Sequence, residues 1–503
     1  MTRRLIAALA VVSMVAALAL SAVAATPVDT EDLREAVTVE AVRAHQAAFQ
    51  AAATDNGGTR EASSPGYTAS ADYVVGLMEA AGYDVTRQEF EYPFFQENVP
   101  AEFEQTAPTP TVYEYFVDFA PMDYSGNGDV TAVTQGVDLV LPPGPTDNTS
   151  TSGCEAADFD GFAAGNIALI QRGSCDFAVK AQNAEDAGAI GVVIFNEGQE
   201  GRTDAFLGTL GGPGILIPVV GTSFAIGEAL AAEGVMVRLF VDATNEIRST
   251  ENVIAETTTG RDDRVVVVGA HLDSVPEGPG IQDNGSGSAA ILEIALQMAE
   301  LGIQPRNQVR FAWWGAEEAG LLGAEHYVAN LSKREIKDIA LNLNFDMIGS
   351  PNFVRYVYDG DGSATGTAGP NGSGNIEDVF LDYFTGEGLA TEPTAFDGRS
   401  DYGPFIAVGI PAGGLFTGAE GIKTPEEVAI YGGTAGMQYD PCYHLACDTF
   451  DNISVTALDQ NSDAAAHAVL TYAMTTSSVK GTDKANATKS VTDLEFKGQS
   501  ARR

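Results

Sequence analysis

The sequence predicts an α/β protein: a mostly parallel mixed sheet with helices on both faces, and a second, smaller α/β unit inserted before it. Three observations predict this. From Asn252 onward, short apolar runs alternate with amphipathic stretches, the pattern of parallel strands joined by crossover helices. Between about 130 and 245 a separate set of short apolar strands encloses its own two cysteines. Finally, several histidines and carboxylates of the later half fall at or just past the ends of apolar runs, where functional residues collect in such sheets. At 503 residues the chain has room for two or three domains.

Taken in order, Arg3 and Arg4 precede an apolar run from Leu5 to about Leu20, and Ala22-Val23-Ala24 supplies small residues for cleavage. This reads as a secretory signal peptide over 1–24. A membrane anchor fits less well, because Ser13 interrupts the run and Ser21 ends it. No later stretch approaches the ~20 apolar residues of a spanning helix. The protein is therefore expected outside the cell, with no membrane span after signal cleavage. Residues 25–35 read as a short leader. Apolar residues at helical spacing predict helices over 39–53 and 70–81, the second ending at Gly82, and 85–92 is strand-like. Residues 96–125 are irregular and rich in proline and aromatics, which marks a seam between a first part, 36–125, and the insert, 130–245.

Within the insert, 137–141, 166–170 and 190–196 read as strands, 177–187 as a helix, and 216–222 as a lead into a helix over 225–233. The main part, 250–476, predicts strands over 265–269, 309–314 and 339–345, with helices over 286–301 and 321–329. Residues 477–503 form a polar tail, richer in basic than acidic residues.

Charge excludes one class of partner outright. With 27 basic against 69 acidic residues, net charge −42, the surface repels phosphate backbones and excludes nucleic acid. The surplus reads foremost as a solubility and salt-tolerance feature, and secondarily favours substrates with a free amine. The four cysteines suggest two disulfides among three connectivities. Pairing neighbours, Cys154 with Cys175 and Cys442 with Cys447, closes short loops and keeps each bridge in one domain. A rival reading makes Cys442 and Cys447 metal thiolates beside His444, which fits an exported chain less well.

Five side chains carry the chemistry: His271, Asp283, Glu318, Asp346 and His444. Two imidazoles and three carboxylates are donors that zinc accepts. One ligand too many for a single tetrahedral ion points to two Zn²⁺ sharing a carboxylate, a recognised hydrolytic device. Asp273 lies two residues beyond His271 on an extended backbone, so its carboxylate can hold the second ring nitrogen and fix the tautomer. Asp283-Asn284-Gly285-Ser286 also reads as a turn and helix N-cap. Glu317 and Glu318 are adjacent carboxylates behind an apolar strand, and a metal ligand next to a general base explains the pair. Asp346 ends an apolar strand, where a buried carboxylate is costly unless paired or metal-bound.

These segments, Ala-His-Leu-Asp-Ser, Gln-Asp-Asn-Gly-Ser, Gly-Ala-Glu-Glu, Asn-Phe-Asp-Met and Cys-Tyr-His-Leu-Ala-Cys, make the chain resemble the secreted co-catalytic di-zinc aminopeptidases of the zinc-dependent exopeptidase fold. Residues 165–177 and 187–196 resemble the protease-associated domain, which places the resemblance in the aminopeptidase Y branch. Gly-Arg-Ser-Asp-Tyr-Gly-Pro-Phe at 398–405 and Gly-Gly-Leu-Phe-Thr-Gly-Ala-Glu at 413–420 match its substrate-pocket segments. The resemblance implies that one zinc takes His271 and Asp346, the other Glu318 and His444, and that Asp283 bridges them behind a cis Asp283–Asn284 peptide. It also implies Glu317 as general base and Tyr443 as donor to the oxyanion. Asp397 and Arg399 would meet the substrate's amino end and Phe416 its side chain. The implied substrates are peptides with a free N-terminus, with neutral or apolar first residues preferred.

Three other readings use the same fold. A di-zinc carboxypeptidase needs a basic cluster for the substrate carboxylate, a glutaminyl cyclase works with one zinc, and a receptor-like protein should have lost metal ligands. An accessory calcium is not supported by sequence: Asp359-Gly360-Asp361-Gly362 has the opening of a calcium loop but lacks the remaining ligand spacing, so it reads as a turn.

Overall fold

The computed structural model describes residues 28–476 together with Val479. The signal-peptide reading and nearly all of the tail lie outside the described residues. Among those described, no helix is long and apolar enough to cross a membrane.

The central strand, Arg261–His271, is built on four consecutive valines. Successive side chains of a strand point to opposite faces, and here both faces are covered. Val266 and Val268 join a large core beneath the helices Val39–Asp55, Gly285–Glu300 and Val455–Met474. Val265 and Val267 face the other way, into a smaller core with Ala324, Tyr327 and Phe405 from the helices Leu322–Ala329 and Tyr402–Ala407. Each fully buried valine stabilises the fold by about 1.5–3 kcal/mol. Coverage on both sides is what allows strands to run parallel. Arg261–His271 pairs in parallel with both Asn307–Trp314 and Ile339–Phe345, and the latter pairs in parallel with Ala412–Phe416. Trp314 stands opposite His271, Asn344 opposite Gly269 and Leu415 opposite Phe345. The carboxyl ends of four strands are thereby brought to one edge.

Three expectations need correction, the first being the strand read over 137–141, which lies earlier, at Gly128–Val137, and ends where Asp138 turns to a φ of 44°. The helix read from 70 begins at Pro65, because Ser64 caps it, accepting from the Tyr67 amide at 3.1 Å, and proline fits the first turn. The first part of the irregular seam, 96–107, is in fact strand, while most of 108–125 is irregular as read. Asp84–Ala107 runs unbroken and pairs antiparallel with Met236–Glu256, with register shifts at Glu97/Val99, Val99/Glu102 and Gln105/Ala107. Pro100 sits within these bulges and Phe103 and Pro108 beside them, where an extra residue is accommodated without ending the pairing.

The partner strand, Met236–Glu256, joins the two units. Its later half pairs with Asn307–Trp314, and its earlier half with Gly128–Val137. From there the insert continues in parallel through Ile167–Gln171, Gly191–Phe195 and Val219–Thr222, over a core of its own. Cys154 is bonded to Cys175 within this unit and Cys442 to Cys447 in the other, the neighbour pairing.

Candidate metal centre

All five donors read from the sequence converge at the sheet's carboxyl edge. His271 Nε2 lies 3.2 Å from Asp283 Oδ1 and 3.3 Å from Asp346 Oδ1. His444 Nε2 lies 3.3 Å from the other oxygen of Asp283, Oδ2, and 3.0 Å from Glu318 Oε2. Asp283 therefore presents one oxygen to each imidazole. Donors bound tetrahedrally at about 2.0–2.1 Å from zinc stand about 3.3–3.4 Å from one another. The observed spacings fit that figure on both sides of Asp283. Glu317 Oε2 stands further off, 3.9 Å from His271 Nε2.

Local structure explains why each side chain is where it is. The Asp283–Asn284 peptide is cis, as the resemblance implies. Asn284 caps the helix Gly285–Glu300, accepting from the Gly287 amide at 2.9 Å and from the Met347 amide at 3.1 Å, and its Nδ2 donates to the Phe345 carbonyl. One asparagine thus ties the Asp283 turn to the strand end that carries Asp346. The close approach needs a glycine: a Cβ at Gly287 would lie 2.1 Å from the Phe345 carbonyl oxygen. Behind Asp283, the buried Asp448 carboxylate accepts the amides of Gln282 at 2.8 Å and Asp283 at 2.9 Å. Arg60, fully buried, donates to the carbonyls of Leu272, Pro279 and Gly280 and fixes the loop leaving His271.

Asp273 does more than its reading proposed. The nearest acceptor to His271 Nδ1 is the Asp273 backbone carbonyl at 3.2 Å, with the carboxylate at 3.6 Å. The carboxylate instead accepts the backbone amides of Glu317 at 3.2 Å and Glu318 at 3.3 Å. It sets the turn carrying both glutamates as well as facing the imidazole.

The Cys442–Cys447 loop holds Tyr443 stacked on His444, ring centroids 3.8 Å apart. Arg399 Nη2 donates to the Tyr443 hydroxyl oxygen at 3.1 Å, and Nη1 pairs with Glu420 at 2.6 Å. The tyrosine can still donate its own proton, and burial first, then the Asp283 and Glu318 carboxylates, hold its pKa well above the ordinary phenol value. Asp397 is exposed at the mouth, where its Oδ1 accepts from the Arg399 amide at 3.1 Å and the Tyr402 hydroxyl at 2.9 Å. Phe416 stacks on Tyr356 and lines the same cleft as Met347, Tyr358 and Ala419.

The electrostatics favour a cation. Burial alone would lower both imidazole pKa values, yet the carboxylates outweigh it: His271 is raised well above its ordinary value, chiefly by Glu317 and Asp346, and His444 to about 10, chiefly by Glu318 and Asp283. Burial also raises Asp283, but its hydrogen bonds to the two imidazoles pull it below the usual range. Glu317 is pushed well up by burial, then by Asp401 and Asp346, against the pull of His271. Asp346 Oδ1 is buried with no hydrogen-bond partner. Protons gathered on such donors are what a divalent ion displaces.

Several contributors escaped the sequence reading. Ser400 donates to Asp346 Oδ2 at 2.6 Å and accepts from Asn344 at 2.8 Å. Asp401, fully buried, has both oxygens without a hydrogen-bond partner. Both lie in the quoted 398–405 segment, but nothing in a serine or aspartate by itself signals these roles. Arg60 lies far from the five motifs in sequence and Asp448 directly follows the Cys442–Cys447 segment, yet neither residue type signals its role there.

Comparison with known proteins gives the family and the fold. Residues 252–469 match the model of peptidase family M28, and residues 135–230 that of the PA domain. The chain is 51% identical over 416 residues to an aminopeptidase of Pseudomonas aeruginosa (strain UCBPP-PA14), covering 82% of this chain and 76% of that protein. Among solved structures it is similar to the aminopeptidase from Aneurinibacillus sp. strain AM-1, at 27% identity and a TM-score of 0.64 over 88% of this chain and 95% of that one. It is also similar to BSAP, a zinc aminopeptidase from Bacillus subtilis, at 26% identity and a TM-score of 0.54 over 86% of this chain and 94% of that one.

Proposed function

The chain belongs to peptidase family M28 and carries a PA domain, and from that premise we propose that it is an exported aminopeptidase working with two zinc ions. The observation that carries the second ion is Asp283, whose two oxygens face two different imidazoles. In this reading His271 and Asp346 would hold one ion and Glu318 and His444 the other, with Asp283 shared between them. When bound, the pair supplies Lewis acidity, lowering the pKa of water and polarising a carbonyl.

The remaining steps belong to the protein. Glu317, beside the pair but outside its donor spacing, takes a proton from the attacking water and passes it to the leaving amine. The Tyr443 hydroxyl, held by Arg399, donates to the oxyanion that forms as the carbonyl is attacked. Asp397 and Arg399 meet the substrate's amino end. The apolar lining at Phe416, Met347, Tyr358 and Ala419 suits a neutral or apolar first side chain. The disulfides support an oxidising destination.

Two measurements on the purified enzyme test this reading. Metal analysis should find two zinc equivalents per chain. A free aminoacyl amide with an apolar side chain should be hydrolysed, and its N-acetylated counterpart should not. Equal cleavage of both would make the protein an endopeptidase or another amidohydrolase, and full activity with one zinc would remove the bridged pair.

The insert, 130–245, is proposed as a folding unit that borders the cleft without supplying ligands. Its Leu207 and Thr209 share a cavity with Pro276 and Glu277, in the loop that follows His271. Because the ribbon Asp84–Ala107 with Met236–Glu256 carries it, the natural excision joins Gln96 to Thr244, which are cross-strand partners. The shortened protein should keep its zinc while its preference among longer peptides changes. Loss of zinc from a folded deletion product would show that the insert builds the centre.

A further inference from the structure

Asp359, Asp361 and Glu377 form a second carboxylate cluster, separate from the zinc centre. Each offers an oxygen within 4.8 Å of the others. Asp359 and Asp361 belong to the loop after the strand Tyr356–Tyr358, and Glu377 to the first turns of the helix Ser373–Gly386. The loop is folded around them. Asp359 Oδ2 accepts the amides of Ala364 at 3.0 Å and Thr365 at 2.6 Å and the Thr365 hydroxyl at 2.8 Å. Asp361 Oδ1 accepts from the Ser363 amide at 2.8 Å, and Glu377 Oε2 from the Gly360 amide at 2.9 Å.

Acidic clusters on a surface are common without ions, so the deciding feature is Asp359. Its side chain is 0% exposed, and its remaining oxygen, Oδ1, is buried with no hydrogen-bond partner. A carboxylate oxygen removed from water and given no donor is costly unless a cation takes it. No lysine, arginine or histidine pairs with any of the three carboxylates among the described residues.

We propose that Asp359, Asp361 and Glu377 bind a calcium ion. The sequence motif Asp-Gly-Asp-Gly supplies only the first ligands; the third comes from the next helix, outside the spacing of a continuous calcium loop, which is why spacing alone hid it. Calcium accepts 6–8 oxygens in adaptable geometry, and the exposed side of Asp361 leaves room for water to complete the shell. An all-oxygen set without imidazole or thiolate selects against zinc. The ion would brace the edge of the catalytic cleft: the Asp359 amide donates to the Thr394 carbonyl at 2.9 Å, and both Thr394 and Tyr358 line that cleft.

The test uses full-length, zinc-loaded protein freed of calcium by a chelating resin, with zinc content measured before and after. Calcium chloride titrated into it calorimetrically should bind at one equivalent, and at about a hundred times its Kd should raise the midpoint of thermal unfolding. Asp361→Asn, at an exposed position that leaves the Asp359 hydrogen bonds intact, should weaken calcium at least about tenfold, the smaller effect expected of even an outer-shell partner. Asp361→Asn with Glu377→Gln should abolish binding while zinc content stays at the wild-type value. Absence of calcium uptake at about 10 mM, above the weakest extracellular calcium modules, would overturn the proposal. So would an unchanged calcium Kd in the double variant, and equal affinity for magnesium would overturn the choice of ion. None of these readouts passes through peptidase activity, so the outcome is independent of the zinc reading.

Discussion

Glu317→Gln is expected to lower turnover by at least about 10²–10⁴-fold while both zinc ions stay bound. Glu317 and its neighbour Glu318 leave the same strand end, and their amides are held by the same Asp273 carboxylate. Their side chains nevertheless reach different places. Glu318 Oε2 is 3.0 Å from His444 Nε2, within the spacing of two donors on one ion, whereas Glu317 Oε2 is 3.9 Å from His271 Nε2. Burial and the surrounding carboxylates favour a proton on Glu317, the tendency wanted in a group that accepts one and gives it away. Glutamine keeps the shape and removes that capacity. The neighbouring change, Glu318→Gln, should act through the metal, releasing one ion and losing activity with it. Measuring kcat and bound zinc on both variants separates the roles. Undiminished turnover in Glu317→Gln would remove the general base, and loss of a zinc equivalent from it would make Glu317 a ligand, completing a His271, Glu317 and Asp346 set.

Asp283→Ala should have the widest effect of any single substitution, because in the proposed centre it would strip a donor from both ions at once. Zinc affinity should fall by more than about 100-fold, the upper end of what losing a mere outer-shell partner costs, and turnover should fall with it. The change also leaves His271 and His444 without the carboxylate that holds both in place. Equilibrium dialysis against buffered zinc, with activity read on the same samples, measures this. An alanine variant keeping one equivalent at wild-type affinity would mean that Asp283 serves one ion only. Because Asn284 carries the cap and the link to Met347 and Phe345, the turn itself should survive the substitution.

The sequence by itself determined the class of fold and the chemical inventory. Alternating apolar runs predict a covered parallel sheet, because a strand buried on both faces must be apolar throughout, as the run Val265–Val268 is. The donors were legible because zinc chemistry restricts residue type, and because parallel strands deliver their carboxyl ends to one edge. Tertiary structure decided everything that depends on distance between segments remote in sequence. That Asp283 faces two imidazoles, that Glu317 stands off while Glu318 closes in, and that Asp273 holds both their amides are matters of a few tenths of an ångström to about one, which no periodicity encodes. Arg60, Ser400 and Asp448 act through hydrogen bonds to backbone or to another residue's carboxylate, and such bonds place no constraint on local pattern. The long ribbon that carries the insert was hidden for a related reason: bulges break the two-residue alternation that reveals a strand while leaving its pairing intact. Glu377 illustrates the general case. A cation counts oxygens in space, and the chain reached the third one by way of a helix.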